Sequence, residues 1–123
     1  MRVYVAGKFE EKEAVRAAQA ALRARGHIIS YDWTEHEIAT ADHAACAEAD
    51  LNGVLDADAL LLLWHPSLRG GLVELGAALC SCVYVIVVGC PPLHEQPNVF
   101  FHHLGVRHVA TVEDAVAWIE AME

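Results

Sequence analysis

Residues 58–71 read DALLLLWHPSLRGG. The apolar run between Asp58 and His65 has no polar face, so as a strand it needs cover on both sides, which a strand inside a parallel sheet receives from crossover helices. The turn that follows holds Pro66, Ser67 and two glycines, and it opens into an apolar stretch with helical character over 71–82. A strand, a glycine turn and a helix in that order form the repeating unit of a parallel sheet.

The same unit recurs outward from this stretch in both directions. Strand character marks 2–6, 27–31, 59–64, 83–88 and 106–111, and VYVIVV at 83–88 is again apolar on both faces. Helical character marks 10–25, closed by Gly26, then 42–57, 71–82, a short piece near Phe100, and 112–122. The alternation predicts an α/β fold: a doubly wound, five-stranded parallel sheet in the flavodoxin-like, Rossmann-like order 2-1-3-4-5. At 123 residues the chain is too short for an eight-fold barrel, and residues 1–123 are expected to form one domain.

With 55% hydrophobic residues, a chain of this length has more apolar surface than a small monomer hides, which predicts a homodimer or higher homo-oligomer. No apolar run reaches the roughly 18 to 20 residues of a bilayer span, and MRVYV at the start reads as a first strand, so a cytoplasmic protein without membrane contact is expected. The net charge of −9 and the scattered cations exclude a stripe for a nucleic-acid polymer and leave a small-molecule ligand. Cys46, Cys80, Cys82 and Cys90 form no CxxC pair and read as buried reduced thiols, and His102-His103 reads as a polar patch, so no metal is expected.

In such a sheet a ligand sits beyond the carboxyl ends of the first and third strands, where the strand order reverses. Two loops meet there. One contains Gly7 and Lys8; the other runs from His65 through Ser67 and Arg69 to Gly70 and Gly71. Glycine at both turns lets backbone N–H groups approach an anion or a sugar hydroxyl.

Two carboxylates bear on the same crevice. Glu74 stands between Val73 and Leu75, in the first turn of a helix starting near Gly71, where exposed N–H groups favour an ionised acid. That stabilisation is also an ordinary reason for an acid at a helix start. Asp50 falls at the edge of an apolar stripe made by Ala47, Leu51, Val54 and Ala57, whereas Glu48, Asn52 and Asp56 form a polar face and Asp58 a helix boundary. Paired carboxylates at a crevice are the minimal equipment for breaking a glycosidic bond.

The segments VYVAGKF (3–9), GHIISYDWTEH (26–36), ADLNGVLDADALLLLWHPS (49–67) and GGLVELGAAL (70–79) together resemble the nucleoside 2-deoxyribosyltransferase-like superfamily, above all its nucleoside 5′-monophosphate N-glycosidase branch. The resemblance implies Glu74 as nucleophile at the anomeric carbon, Asp50 as the group that moves a proton to the departing base, and Tyr4 as the residue that positions the Glu74 carboxylate. The Pro-Ser-Leu at 66–68 resembles the monophosphate-cleaving branch, where the serine binds a 5′-phosphate; many transferases of the family have an aspartate in this loop. This implies a phosphate site at Ser67, to which Arg69, Gly7 and Lys8 could add. Asp32 and Trp33 are placed to meet the base, and Asn98 is the residue a neighbouring subunit would lend to a shared active site. The implied enzyme is an N-glycosidase of a (2′-deoxy)nucleoside 5′-monophosphate that needs no cofactor. A deoxyribosyltransferase moving the sugar between bases, or a nucleotide sensor without catalysis, remain as alternatives.

Overall fold

The computed structural model describes residues 1–36 and 42–123. Its strands are β1 (Arg2–Ala6), β2 (Ile28–Ile29), β3 (Ala59–Leu63), β4 (Tyr84–Val88) and β5 (Val106–Val109). They form one sheet in the order β2-β1-β3-β4-β5, and every neighbouring pair is parallel. The fold expected from the alternation of elements is therefore the one observed. The all-apolar run explains the centre: Ala59 to Leu62 are wholly buried, flanked by β1 on one side and β4 on the other.

Four helices supply the cover: α1 (Lys12–Ala24), α2 (His43–Leu55), α3 (Gly70–Leu79) and α4 (Val112–Met122). α1 packs with α4 and α2 with α3, one pair on each face of the sheet. Caps set their limits. Asp42 accepts from the Ala45 N–H at the start of α2, Thr111 accepts from the Asp114 N–H at the start of α4, and Gly26, at φ +85°, turns the chain out of α1.

Several boundaries differ from the sequence expectation. β2 keeps only two residues because it is an edge strand with a single neighbour and Ile28 faces outward. The first helix starts after a 3-10 turn at Phe9–Glu11, and the short piece near Phe100 is a 3-10 turn at Val99–His102. α3 begins at Gly70 and stops at Leu79, so Cys80 and Cys82 fall in the turn before β4. They are exposed, and Cys46 and Cys90 are half-buried; the expectation of four buried thiols is thus corrected, although all four are free. Among the described residues no helix is long and apolar enough to cross a membrane.

Candidate active site

Tyr4 lies in the middle of β1 and is fully buried. Its hydroxyl donates a short hydrogen bond to Oε2 of Glu74, which α3 brings in over the sheet. α2 can lie against the tyrosine ring because of Gly53: a Cβ there would stand 2.6 Å from Cβ of Tyr31 and 3.0 Å from two ring atoms of Tyr4. Only a glycine allows that approach.

Burial pushes the Glu74 carboxyl up to about 8; the Tyr4 hydrogen bond favours the ionised form and works against the rise, while the charge of Asp50 adds to it. The Tyr4 hydroxyl is itself raised far above its ordinary value, by burial first and then by Glu74, so it remains a donor. The helix-terminus argument for an ionised Glu74 needs correction. With α3 starting at Gly70, the first turn holds no acid and Glu74 is the fifth helical residue. The helix dipole acts mainly within the first turn, so burial and the Tyr4 bond set the charge of this carboxyl.

Asp50 comes from α2, half-buried, one turn before Gly53. Of the apolar stripe beside it, Val54 and Ala57 are buried and Ala47 is not, while Glu48, Asn52 and Asp56 are exposed as expected. Burial raises the Asp50 carboxyl, and His36 opposes that rise. Asp50 also acts electrostatically on both Tyr4 and Glu74, so the three groups form one coupled set.

Above this set opens a cavity of about 530 Å³ at the carboxyl ends of β1 and β3. Asp50 and Glu74 line it, with Gly7 and Lys8 from the first loop and Ser67, Arg69, Gly70 and Gly71 from the second. The two glycine turns singled out in the sequence therefore meet at one cavity. Their donors are not all free, since the Ser67 N–H is held by Nδ1 of His65 at 3.0 Å. Trp33 also lines the cavity, but it is buried and its indole N–H donates to the Val5 carbonyl at 2.8 Å, so it offers the cavity ring surface and no polar handle.

The whole sheet-and-helix arrangement has a known counterpart. The fold is that of Clostridium botulinum CMP N-glycosidase, BcmB. The two structures superpose with a TM-score of 0.64 over 98% of this chain and 99% of BcmB, at 13% sequence identity. No protein-family model and no curated protein sequence matches the chain.

On this BcmB-like fold Tyr4 lies beneath the cavity lining, and two of the predicted binding residues stand apart from it. Asp32 caps the 3-10 turn at Trp33–Glu35: its Oδ1 accepts from the N–H and the hydroxyl of Thr34 and from Nε2 of Gln19. Although partial burial works against it, those bonds hold its carboxyl below the ordinary value and commit Oδ1 to the turn. Asn98 caps the turn at Val99–His102 by accepting from the Phe100 N–H, and it lines a separate apolar groove with Leu72, Val73, Leu75 and Phe100. Conversely, Phe9 and Glu10 line the cavity and were not singled out in the sequence. Their only signal was position, directly after the Gly-Lys that leaves β1.

Proposed function

We propose that this chain is an N-glycosidase of nucleoside 5′-monophosphates, with Glu74 as nucleophile. The observation that carries the reading is the buried Tyr4–Glu74 hydrogen bond beneath a cavity that Asp50 shares and that Lys8 and Arg69 line with positive charge. The BcmB-like fold supports it, since that protein is a CMP N-glycosidase.

The reactive state has one proton on the carboxyl pair, held by Asp50, with Glu74 ionised; burial, which lifts Glu74 to about 8, works against this arrangement at neutral pH, and the Tyr4 hydrogen bond works for it. Glu74 attacks C1′; the C1′–N bond breaks, its electron pair leaves with the base, and the Asp50 proton goes to the base nitrogen. The product of this half-reaction is a glycosyl ester on Glu74 and an Asp50 carboxylate. In the second half Asp50 takes a proton from water as its oxygen attacks C1′, and Glu74 departs as carboxylate. Two displacements retain the anomeric configuration. The 5′-phosphate is read by Ser67 and Arg69 at the start of α3, with Gly7 and Lys8 opposite, and its binding energy places C1′ over Glu74.

The test is a panel of ribo- and deoxyribonucleosides and their 5′-monophosphates, scored for free base by chromatography, with and without a second free base as acceptor. Base released from monophosphates alone is the expected result. A new nucleoside in the acceptor arm identifies a deoxyribosyltransferase instead, and thermal stabilisation by a nucleotide without product identifies a sensor.

A further inference from the structure

Oδ1 of Asp50 is shut off from solvent and accepts no hydrogen bond from the described residues, a costly state for a carboxylate oxygen. Asp50 nevertheless lines the cavity, so its remaining exposure falls on other atoms and the second oxygen is the one available to a substrate. The two oxygens therefore have different surroundings.

Facing the buried oxygen is Nδ1 of His36, at 4.0 Å, just beyond hydrogen-bond length. The other ring nitrogen, Nε2, lies 2.6 Å from the Tyr31 hydroxyl. Burial, followed by the charges of Asp50, Cys46 and Asp32, raises the Tyr31 hydroxyl above its ordinary value, so it keeps its proton. Where that phenol donates to Nε2 of a neutral imidazole, the imidazole proton sits on Nδ1. A protonated imidazole carries N–H at both positions. In both of these states an N–H faces Oδ1 of Asp50.

We propose that His36 is a positioning residue for Asp50, its Nδ1–H closing onto Oδ1 as Asp50 passes its proton to the leaving base, with Tyr31 fixing the tautomer. The inference rests on the glycosidase reading. While Asp50 is neutral, the 4.0 Å separation forfeits little. As the carboxyl loses its proton, negative charge grows on it, and a donor that moves in by about 1 Å reaches the usual hydrogen-bond length. The gain is then larger in the transition state than in the ground state, the condition for acceleration. The same bond stabilises the carboxylate that receives the proton of the attacking water.

Among the described residues, the titratable groups around Asp50 are Tyr4 on β1, Glu74 on α3, Tyr31 after β2, Cys46 one turn earlier on α2, and His36. Of these five, only His36 can place positive charge or a charged N–H beside it. Its removal therefore raises the Asp50 carboxyl further, and the limb of the pH–kcat profile that reports Asp50 moves to higher pH.

The experiment compares pH–kcat and KM profiles of base release for wild type, His36→Ala, His36→Asn and Tyr31→Phe. His36→Ala is expected to lower kcat about tenfold, a fraction of the roughly 10²–10⁴ that general acid catalysis supplies, with KM little changed and the Asp50 limb displaced upward. His36→Asn, whose amide nitrogen takes the place of Nδ1, is expected to recover most of kcat, and Tyr31→Phe to lose a few-fold, within the reach of one hydrogen bond. In alkaline buffer, ¹⁵N NMR of the wild type is expected to show the Nδ1–H tautomer of His36. An unmoved limb in His36→Ala, an Asn variant no better than Ala, or the Nε2–H tautomer overturns the inference. No base release by the wild type overturns the glycosidase reading itself; release with an unmoved limb overturns only the role of His36.

Discussion

Glu74 holds the sharpest conflict between stability and chemistry at the residue scale. Its folded-state value of about 8 lies above the ordinary 4.5, so between these values the folded chain binds more protons than the unfolded chain. The stability contribution is therefore fully present below about 4.5 and is lost as pH rises through about 8. Glu74→Gln removes this cost. The variant is expected to lose turnover entirely, yet to melt at least about 3 °C above wild type at alkaline pH, with the gap shrinking toward acid pH in differential scanning calorimetry. Tyr4→Phe tests the other side of the pair. Its hydroxyl favours the ionised carboxyl, so its loss raises Glu74 further, and the limb of kcat/KM that reports Glu74 is expected to move to higher pH, with a roughly 10- to 100-fold drop at neutral pH. An unmoved Glu74 limb in a folded Tyr4→Phe protein would show that this hydrogen bond does not control the nucleophile.

Among the elements, α2 matters most because its distance from β1 sets where Asp50 sits. Gly53 fixes that distance, so Gly53→Ala is expected to destabilise the protein by about 1–3 kcal/mol, although alanine is the better helix former by about 1 kcal/mol. It should also reduce activity, because Asp50 moves with the helix. Thr111→Ala is the matched control: it removes the cap of α4, costs about 1 kcal/mol, and is expected to leave kcat/KM unchanged, since α4 contributes nothing to the cavity lining. Urea unfolding and base-release kinetics on both variants separate the two effects. The legible part of the fold follows from the same local logic. ALLLLW and VYVIVV announce central strands because the sheet buries consecutive residues on both faces, Ala59 to Leu62 and Val85 to Val88, whereas β2, at the edge, carries a pattern that only one neighbour reads. The two crevice loops and Asp50 were legible from glycine placement and from the edge of a helical stripe. Asp32 is less legible, because its position at a strand end is shared by base-reading and turn-capping residues, and of its bonds with Thr34 and Gln19 the second joins segments that no local pattern links. The meeting of Tyr31 and His36 with Asp50 joins separate elements, and no local period records it.

The scale of the whole molecule brings back the excess of apolar residues. Part of it is outside: Val73 on α3 is 61% exposed, and Val99 and Phe100 in the nearby 3-10 turn are 70% and 61% exposed. With Leu72, Leu75 and Asn98, Val73 and Phe100 border an apolar groove against α3. The next residue after Val73 is Glu74, so the face left open to solvent and the face that carries the nucleophile belong to the same helix turn. A second copy of the chain is the occupant that the composition argues for, because 55% hydrophobic residues in a chain of 123 leave apolar surface that self-association can cover. Docked on α3, it would cover the groove that Asn98 borders and hold that helix in place. Sedimentation velocity at micromolar concentration is expected to give a dimer, and Val73→Asp, which sets a charge on the open face without touching the core, to give a folded monomer. If the copies complete each other's sites, dilution of the wild type through its dimer dissociation constant should lower turnover per chain in step with the fall in dimer, and Val73→Asp should sit at that lower level at every concentration. A wild-type monomer with full turnover would place the groove outside the working enzyme and leave the cavity above Tyr4, Asp50 and Glu74 complete within one chain.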